Sequence, residues 1–353
     1  MKGEAAQATP TQLPQVSVIV PAYNAAWCLE RTLDSIAAQT YPRFEVLVVN
    51  DGSTDGTETI IDAFVRRDTR FRKHNQPNMG LVGARNAGLE NTTGEFVAPI
   101  DADDLWAPDF LVANVEALLD ASPEAPFSFS YSLWIDEDDR LLSTTVPSMP
   151  PRSDFLGLLR ENAVGNGSSS VFRRAEVKAV GGYDSTLKAR GALGGEDWKL
   201  SLQLAARHPA IVVPRPLVGY RITARSLSAD PSGQARSLLT VLDDVERAFP
   251  DTPSCDLKMA RTDFLVWLLP RWARARNWGA VLRYGALAYL SNPAAFAVPK
   301  YRHALKRLLL EAVAAGHRGL LEKKADMPRF QDYVRHGTGI PTAAIPVSPC
   351  ARN

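Results

Sequence analysis

The sequence has few cysteines and no long apolar run. Its 353 residues include only Cys28, Cys255 and Cys350, which are too few and too widely spaced for a disulfide framework or a Cys-x-x-Cys metal site. This pattern favours a reducing compartment. The stretch 284–299 lacks charge but is broken by Ser-Asn-Pro and is shorter than the ~20 apolar residues that a bilayer crossing needs. The first fifteen residues contain no apolar core of a signal peptide. We therefore expect a cytoplasmic protein without a transmembrane helix.

Neither sign of charge dominates the chain as a whole. It has 40 Lys plus Arg and 39 Asp plus Glu, a formal net charge of +1, which argues against a protein that coats nucleic acid through bulk charge. The charge is nevertheless uneven, because residues 235–353 carry +8 and the first 234 residues carry −7. Two interpretations of the basic part stay open. Its arginines and tryptophans lie at an anionic membrane face, or they solvate helices packed on the first part.

The length predicts more than one structural unit, since single hydrophobic cores stop growing near ~250–300 residues. The turn-rich sequence DPSG begins at Asp230 and suggests a boundary. We predict an α/β domain over residues 15–232 and a helical C-terminal region over 233–336. A flexible leader, 1–14, and a disordered tail, 337–353, are expected to flank them.

Strand and helix patterns alternate in the first hundred residues. Apolar runs at 16–20 and 44–49 are typical of buried strands, and apolar residues at helical spacing lie between and after them. This order predicts βαβ units and a mostly parallel sheet with helices on both faces. A third strand, 95–100, is followed by DADD. Because ligands bind beyond the carboxyl ends of such strands, the polar sequences PAYN, NDGSTDG and DADD predict a site built from three loops.

The DADD sequence places carboxylates where they can converge on a cation. Asp101 and Asp103 are two residues apart in a loop that leaves a strand, and Mg²⁺ or Mn²⁺ shared with a diphosphate takes only one or two protein carboxylates. Asp104 follows directly. The alternative is a solvated turn before the helix that Pro108 starts.

Three further residues are candidates for contacts with a nucleotide. Asp51 could accept the N–H of a base, and Tyr23 could face the same base or its ribose. Arg85 offers a rigid donor fork to a phosphate or a base oxygen. The alternatives are a turn with a helix cap at residues 50–56 and a surface salt bridge for the arginine.

The sequence GGEDW, beginning at Gly194, forms a second acidic centre. We interpret Asp197 as a general base and Trp198 as a platform for an acceptor ring. The alternative is an ordinary helix start, at which the carboxylates interact favourably with the helix dipole.

Six motifs in one order resemble the family 2 glycosyltransferases of GT-A fold, which are inverting enzymes that use nucleotide sugars. The motifs are VSVIVPAYN, VLVVNDGSTDGT, NMGLVGARNAGL, GEFVAPIDADD, VFRRAEVKAVGGYD and GGEDWKL. The resemblance covers roughly residues 15–228. It implies a GT-A fold with a Rossmann-like, mostly parallel central sheet, and an enzyme that transfers a sugar to a hydroxyl of a glycan or lipid-linked acceptor.

On the donor side, the resemblance implies that Pro21, Tyr23 and Asp51 hold the nucleoside and that Arg85 helps to fix the nucleotide. It also implies that Asp101, close to the nucleotide, and Asp103 form a D-x-D motif for Mg²⁺ or Mn²⁺. Asp103 is then the more direct metal ligand.

On the acceptor side, the resemblance implies that Asp197 is the catalytic base. Glu196 and Trp198 then form the floor of the acceptor pocket, and the stretch Asn166 to Arg174 resembles the strand behind it.

One position departs from the family pattern. Members often carry a histidine near the diphosphate in the segment after the last strand, and Thr223 stands at that place in YRITARSLS, residues 220–228. Arg221 or Arg225 is our candidate for the missing positive charge.

The sequence thus predicts a metal-dependent, inverting glycosyltransferase that uses a nucleotide-sugar donor, with UDP-sugars first, in bacterial cell-surface polysaccharide synthesis. We expect no nucleic-acid partner. Two alternatives stay open, namely a nucleotide-sugar-binding pseudo-enzyme or assembly protein, and a sugar nucleotidyltransferase.

Overall fold

A computed structural model of the protein describes residues 13–144, 146–147, 149–223, 226, 230–298, 301 and 327–336. The expected leader falls almost entirely outside these residues, and the expected tail entirely so. Within them, no helix combines the length and the apolar character that crossing a bilayer requires.

A mixed eight-stranded sheet forms the centre of the described structure. Its strands run in the spatial order β3-β2-β1-β4-β7-β6-β8-β5, and four of the seven neighbouring pairs are parallel. The strands are β1 Val16–Ala22, β2 Phe44–Asp51, β3 Phe71–Gln76, β4 Phe96–Pro99, β5 Leu105–Trp106, β6 Phe127–Ile135, β7 Ser170–Arg173 and β8 Ile211–Arg221. The predicted α/β class with a mostly parallel sheet is confirmed.

Helices cover the sheet and continue beyond it. Those before residue 206 are α1 Leu29–Ala37, α2 Thr57–Arg67, α3 Gly80–Glu90, α4 Phe110–Asp120, α5 Phe155–Glu161, α6 Arg174–Ala179, α7 Thr186–Ala189 and α8 Glu196–Ala205. The C-terminal region contains α9 Pro231–Ala248, α10 Ser254–Arg274, α11 Trp278–Ser291, a 3₁₀ helix Pro293–Ala297 and a short helix Phe330–His336. The proposed division at residue 232 lies inside the first turn of α9.

The first strand shows why both faces of the sheet are covered. Every residue of β1 is buried, and its side chains alternate between two apolar clusters. Val18 packs in the cluster that contains Leu33 of α1, whereas Ile19 packs in the opposite cluster with Trp198 of α8. The second cluster also contains Val241 of α9, so the C-terminal helices pack directly on the sheet region.

The first strand extends two residues past the predicted end, through Pro21. Pro21 pairs in register with Val49 of β2, whereas the pairing of β1 with β4 stops at Ile19. Ile19 directs its backbone towards β4, where its carbonyl accepts the N–H of Ile100. The backbone of Pro21, two residues further along β1, faces the same side, but the pairing with β4 has already ended there. Proline has no N–H, and at this position no hydrogen bond of the sheet requires one.

Candidate functional site

Three loops meet at the carboxyl edge of the parallel strands, as the sequence predicts. The first two are joined by hydrogen bonds, because the N–H of Asn24 donates to Ser53 Oγ (3.1 Å) and the N–H of Thr54 donates to Asn24 Oδ1 (2.9 Å). The third is tied to α1, since Thr32 Oγ1 donates to the carbonyl of Ala102 (2.7 Å). The edge is therefore one surface, formed after β1, β2 and β4.

Asp51, at the end of β2, organises the turn before α3. Its Oδ1 accepts from Gln76 Nε2 (2.7 Å) and from the N–H of Met79 (2.8 Å), and its Oδ2 accepts from the N–H of Gly80 (2.8 Å). The carboxylate is almost fully buried. The structure thus gives Asp51 a local role, and a contact with a base stays a prediction.

The other two nucleoside candidates differ in exposure. Tyr23 follows β1 and is 52% exposed, so its ring is accessible to a ligand at this edge. Pro21 is buried within β1.

The loop after β4 is fixed through Asp104 and Ser168. Ser168 Oγ donates to Asp104 Oδ2 (2.5 Å) and accepts from the N–H of Asp101 (3.0 Å). The N–H of Arg221, at the end of β8, donates to Asp104 Oδ1 (2.9 Å). Asp104 is fully buried, so it holds the loop in place while Asp101 and Asp103 stay partly exposed beside it.

The carboxylates in this loop oppose each other's ionisation. Burial and the charge of Asp101 raise the pKa of Asp103 to about 6, although Arg221 acts in the opposite direction. Burial, followed by the charges of Asp103 and Asp101, also raises the pKa of Asp104. A nearby cation would relieve this repulsion.

These residues fit a hard divalent cation that is shared with a ligand. In the part of the chain that the structure describes, no three His, Cys, Asp or Glu side chains form a complete cation cage. Asp101 and Asp103 offer two carboxylates, which matches a Mg²⁺ or Mn²⁺ ion that takes its remaining ligands from phosphate and water.

Arg85 links this loop to the second acidic centre. Its Nη2 donates to Asp101 Oδ1 (2.6 Å) and its Nη1 donates to Glu196 Oε1 (2.7 Å), while the side chain is only 1% exposed. Burial alone would lower the pKa of Arg85, but the two carboxylates outweigh it and hold the pKa well above its ordinary value. Arg85 is therefore a fixed counter-charge between the two centres.

Asp197 is the second residue of α8, which begins at Glu196 directly after Gly195, a glycine in the left-handed region (φ +82°). Its Oδ1 accepts the N–H of Trp198 (2.7 Å). Burial raises the pKa of Asp197, Arg85 opposes the rise, and Asp101 adds to it. A carboxylate with a raised pKa is suited to accept a proton, as the sequence interpretation requires.

The prediction for Trp198 needs correction. The indole is 1% exposed, donates through Nε1 to the carbonyl of Leu158 (2.9 Å) and contacts Phe264 edge-on. It belongs to the core beneath α8 and does not present a platform to an acceptor. Glu196, predicted beside it, is engaged by Arg85.

Arg221 has a structural role in this conformation. Its guanidinium is fully buried and donates to Asp139 Oδ1 (2.5 Å) and to the carbonyls of Asp103 (2.6 Å) and Asp136 (2.5 Å). Direct contact with a diphosphate would require it to leave these partners. Arg225 lies outside the described residues, and Thr223 is nearly buried in a turn with Ser226.

Gly167 and Ser168 have roles at the site that the sequence analysis did not predict, although it placed both in the strand behind the acceptor pocket. Gly167 passes so close to Arg85 that a Cβ there would lie 2.3 Å from Nη2. Ser168, next to it, anchors both Asp101 and Asp104. The run of small residues in GNGSSS was the available signal, since small side chains leave room for a buried arginine.

Known proteins share sequence similarity with this chain. Residues 17–175 match the family model described as "Glycosyl transferase family 2". The chain is 40% identical over 122 residues to the putative teichuronic acid biosynthesis glycosyltransferase TuaG of Bacillus subtilis, covering 34% of this chain and 48% of that protein. It is 30% identical over 224 residues to the putative glycosyltransferase EpsH of the same organism, covering 61% and 63%. The chain thus spans less than two thirds of either relative.

Solved structures share the fold. Staphylococcus aureus TarS 1-349 in complex with UDP-GlcNAc superposes with a TM-score of 0.57 at 18% identity, covering 92% of both chains. The mannosyltransferase PcManGT from Pyrobaculum calidifontis, in complex with GDP-Man and Mn²⁺, gives a TM-score of 0.56 at 25% identity, covering 89% of both chains. Residues 17–175, somewhat less than half of the chain, are thus similar to the members of glycosyl transferase family 2.

Proposed function

We propose that this protein is an inverting glycosyltransferase that moves a sugar from a nucleotide-sugar donor to an acceptor hydroxyl. The observation that carries the proposal is the pair of acidic centres joined by Arg85. One centre, Asp101 with Asp103, suits a cation and a diphosphate, and the other, Asp197, suits a proton acceptor.

The donor binds at the edge of the sheet. Exposed Tyr23 and the turn organised by Asp51 would flank the nucleoside, with a UDP-sugar as the first candidate. TarS is described with UDP-GlcNAc and PcManGT with GDP-Man and Mn²⁺, which supports a nucleotide sugar without fixing the base. A Mg²⁺ or Mn²⁺ ion held by Asp103 and Asp101 would supply positive charge for the departing diphosphate.

The chemistry is a single displacement. The acceptor oxygen forms a bond to the anomeric carbon as the bond from that carbon to the diphosphate oxygen breaks, and the nucleoside diphosphate leaves. Asp197 takes the proton of the acceptor hydroxyl, for which its raised pKa is favourable. Attack opposite to the leaving group inverts the anomeric configuration, and no covalent sugar–enzyme bond is required.

Binding of the donor can be tested by ligand-observed NMR with UDP-, GDP- and dTDP-sugars, with and without Mn²⁺. We expect one donor to bind in a metal-dependent way and Asp103→Ala to abolish that binding. Binding that ignores both Mn²⁺ and Asp103 would favour the pseudo-enzyme, and absence of binding would reject the donor site.

The acceptor is proposed to be a glycan or lipid-linked intermediate of bacterial cell-surface polysaccharide synthesis, at the inner face of the membrane. The name of TuaG refers to teichuronic acid biosynthesis, which supports this context. On α11, Trp278, Leu282 and Leu290 are exposed, the two leucines to 74% each, and Arg283 is the only charged residue of that helix. An exposed apolar face within a basic region suits peripheral contact with anionic lipid.

Flotation with anionic liposomes tests this contact. The wild-type protein should float at low salt and less at high salt, because charge contributes to the binding. Leu282→Ser with Leu290→Ser should reduce flotation, whereas Leu193→Ser, which alters an exposed leucine outside α11, should not. A wild-type protein that stays in the soluble fraction at low salt would contradict the membrane proposal.

A further inference from the structure

Asp244 of α9 forms ion pairs with basic side chains from outside its own helix. Arg190 donates through Nη1 and Nη2 to the two carboxylate oxygens (2.7 Å each), and Lys199 Nζ donates to Oδ2 (2.5 Å). Arg247, one turn further along α9, also contacts Oδ1. The carboxylate is 10% exposed, so these ion pairs are screened by water much less than pairs on the open surface.

The two outside partners of Asp244 flank a short loop, 191–195. Arg190 comes directly before this loop, and Lys199 lies in the first turn of α8, directly after it. Two loop glycines have positive φ, +79° at Gly191 and +82° at Gly195, a backbone region that few residues other than glycine adopt. Because glycine allows the backbone many conformations, the position of this loop depends on the contacts that hold its two ends.

This loop leads into the second acidic centre. Asp197 is the second residue of α8, two positions before Lys199. Lys199 also donates to Asp184 (2.5 Å), so the same ammonium ties α8 to the segment before α7. Helix α9 lies against the end of the loop, because a Cβ at Gly195 would lie 3.4 Å from Val241 Cγ2.

We propose that Asp244 is a positioning residue for the transfer reaction. Its carboxylate fixes Arg190 and Lys199, and through them the loop 191–195 and the Asp197 carboxylate. The C-terminal helical region is thereby part of the catalytic machinery without contacting substrate. The catalytic consequence rests on the proposed function, whereas the fixing of the loop does not.

The test compares Asp244→Asn with Asp243→Asn. Asp243 is the neighbouring residue of α9, is 58% exposed and pairs with Arg261 (3.0 Å). Hydrogen exchange followed by mass spectrometry reports on peptides that cover residues 184–199, and steady-state kinetics report kcat and the donor KM. Asp244→Glu keeps the charge and serves as the conservative variant.

In Asp244→Asn we expect faster exchange in this segment with unchanged protection of β1 and β2, because local openings differ in free energy across a fold. We expect kcat to fall about 10- to 100-fold, since misplacement of a catalytic group by about 1 Å can cost about 100-fold. The donor KM should change less than kcat. Asp243→Asn should match the wild type in both assays, and Asp244→Glu should recover most of kcat.

Unchanged exchange in Asp244→Asn would overturn the proposal whatever the activity. Faster exchange with wild-type kcat would show that the contacts serve stability alone, which also overturns it. If the wild-type protein transfers no sugar from any donor, the proposed function fails, and the exchange comparison still decides whether Asp244 fixes the loop.

Discussion

Replacement of Arg85 by methionine tests the link between the two acidic centres. The substitution removes the charged guanidinium group and its N–H donors but keeps an apolar side chain of similar length. It leaves Asp101 and Glu196 without their shared partner. Glu196 is the more sensitive of the two, because its side chain is 7% exposed whereas that of Asp101 is 24% exposed and can be hydrated.

The expected cost follows from this burial. Removing one partner of a buried ion pair typically destabilises a protein by about 3–5 kcal/mol, and we expect Arg85→Met to lie in that range. Arg152→Met is the control, because Arg152 pairs with Asp154 at 2.5 Å but is 64% exposed. An exposed pair of this kind contributes about 0–1 kcal/mol.

The loss of stability caused by Arg85→Met should depend on pH, and its direction follows from the pKa of Glu196. Burial raises the pKa of Glu196 and Arg85 opposes that rise, so the pKa rises further when Arg85 is removed. A protonated Glu196 needs no counter-charge. The stability deficit of Arg85→Met is therefore present above the pKa of Glu196 in the variant and shrinks as the pH falls through it.

Urea unfolding of wild type, Arg85→Met and Arg152→Met at about pH 5 and about pH 8 measures both effects. The reasoning is refuted if Arg85→Met costs no more than the control, or if its deficit is the same at both pH values.

Three further predictions concern neighbouring residues. Gly167→Ala should displace the guanidinium of Arg85 and destabilise the fold by about 1–3 kcal/mol in thermal unfolding, whereas Gly279→Ala, where a Cβ meets nothing closer than 3.8 Å, should not. Asp51→Asn should weaken donor affinity in calorimetric titration, because the amide has one acceptor oxygen for the three donors from Gln76, Met79 and Gly80. Unchanged affinity would show that the turn organised by Asp51 does not contribute to the donor site. In a pH profile, kcat should rise with pH through a pKa above the ordinary aspartate value, as Asp197 loses its proton; a flat profile would argue against this base.

The sequence was informative about the fold where local patterns determine it. The alternation of buried strands and amphipathic helices in the first hundred residues predicts β1, β2 and β4, which are parallel in the sheet, and the polar loops after these strands meet as expected. The extension of β1 through Pro21 was not predictable, because it depends on which neighbouring strand has already ended.

Partners that are distant in sequence account for what was missed at the site. The expected contact of Arg85 with a nucleotide stays a prediction, whereas its ion pairs with Asp101 and Glu196 were not predicted, since Glu196 is 111 positions away in sequence. Trp198 follows the acidic pair and suggested an exposed ring, yet α8 turns it towards the core. Asp244 has no sequence signature, because its significance comes from contacts with Arg190 and Lys199.

The central claim, that the two acidic centres carry out one transfer reaction, is tested most directly by donor turnover. The assay measures nucleoside diphosphate release from the donor identified by NMR, with Mn²⁺ and an acceptor fraction, for wild type, Asp103→Ala, Asp197→Asn and Asp243→Asn. We predict that Asp103→Ala loses donor binding and turnover, that Asp197→Asn binds donor but loses most turnover, and that Asp243→Asn matches the wild type. Nearly full turnover by Asp197→Asn would contradict the account.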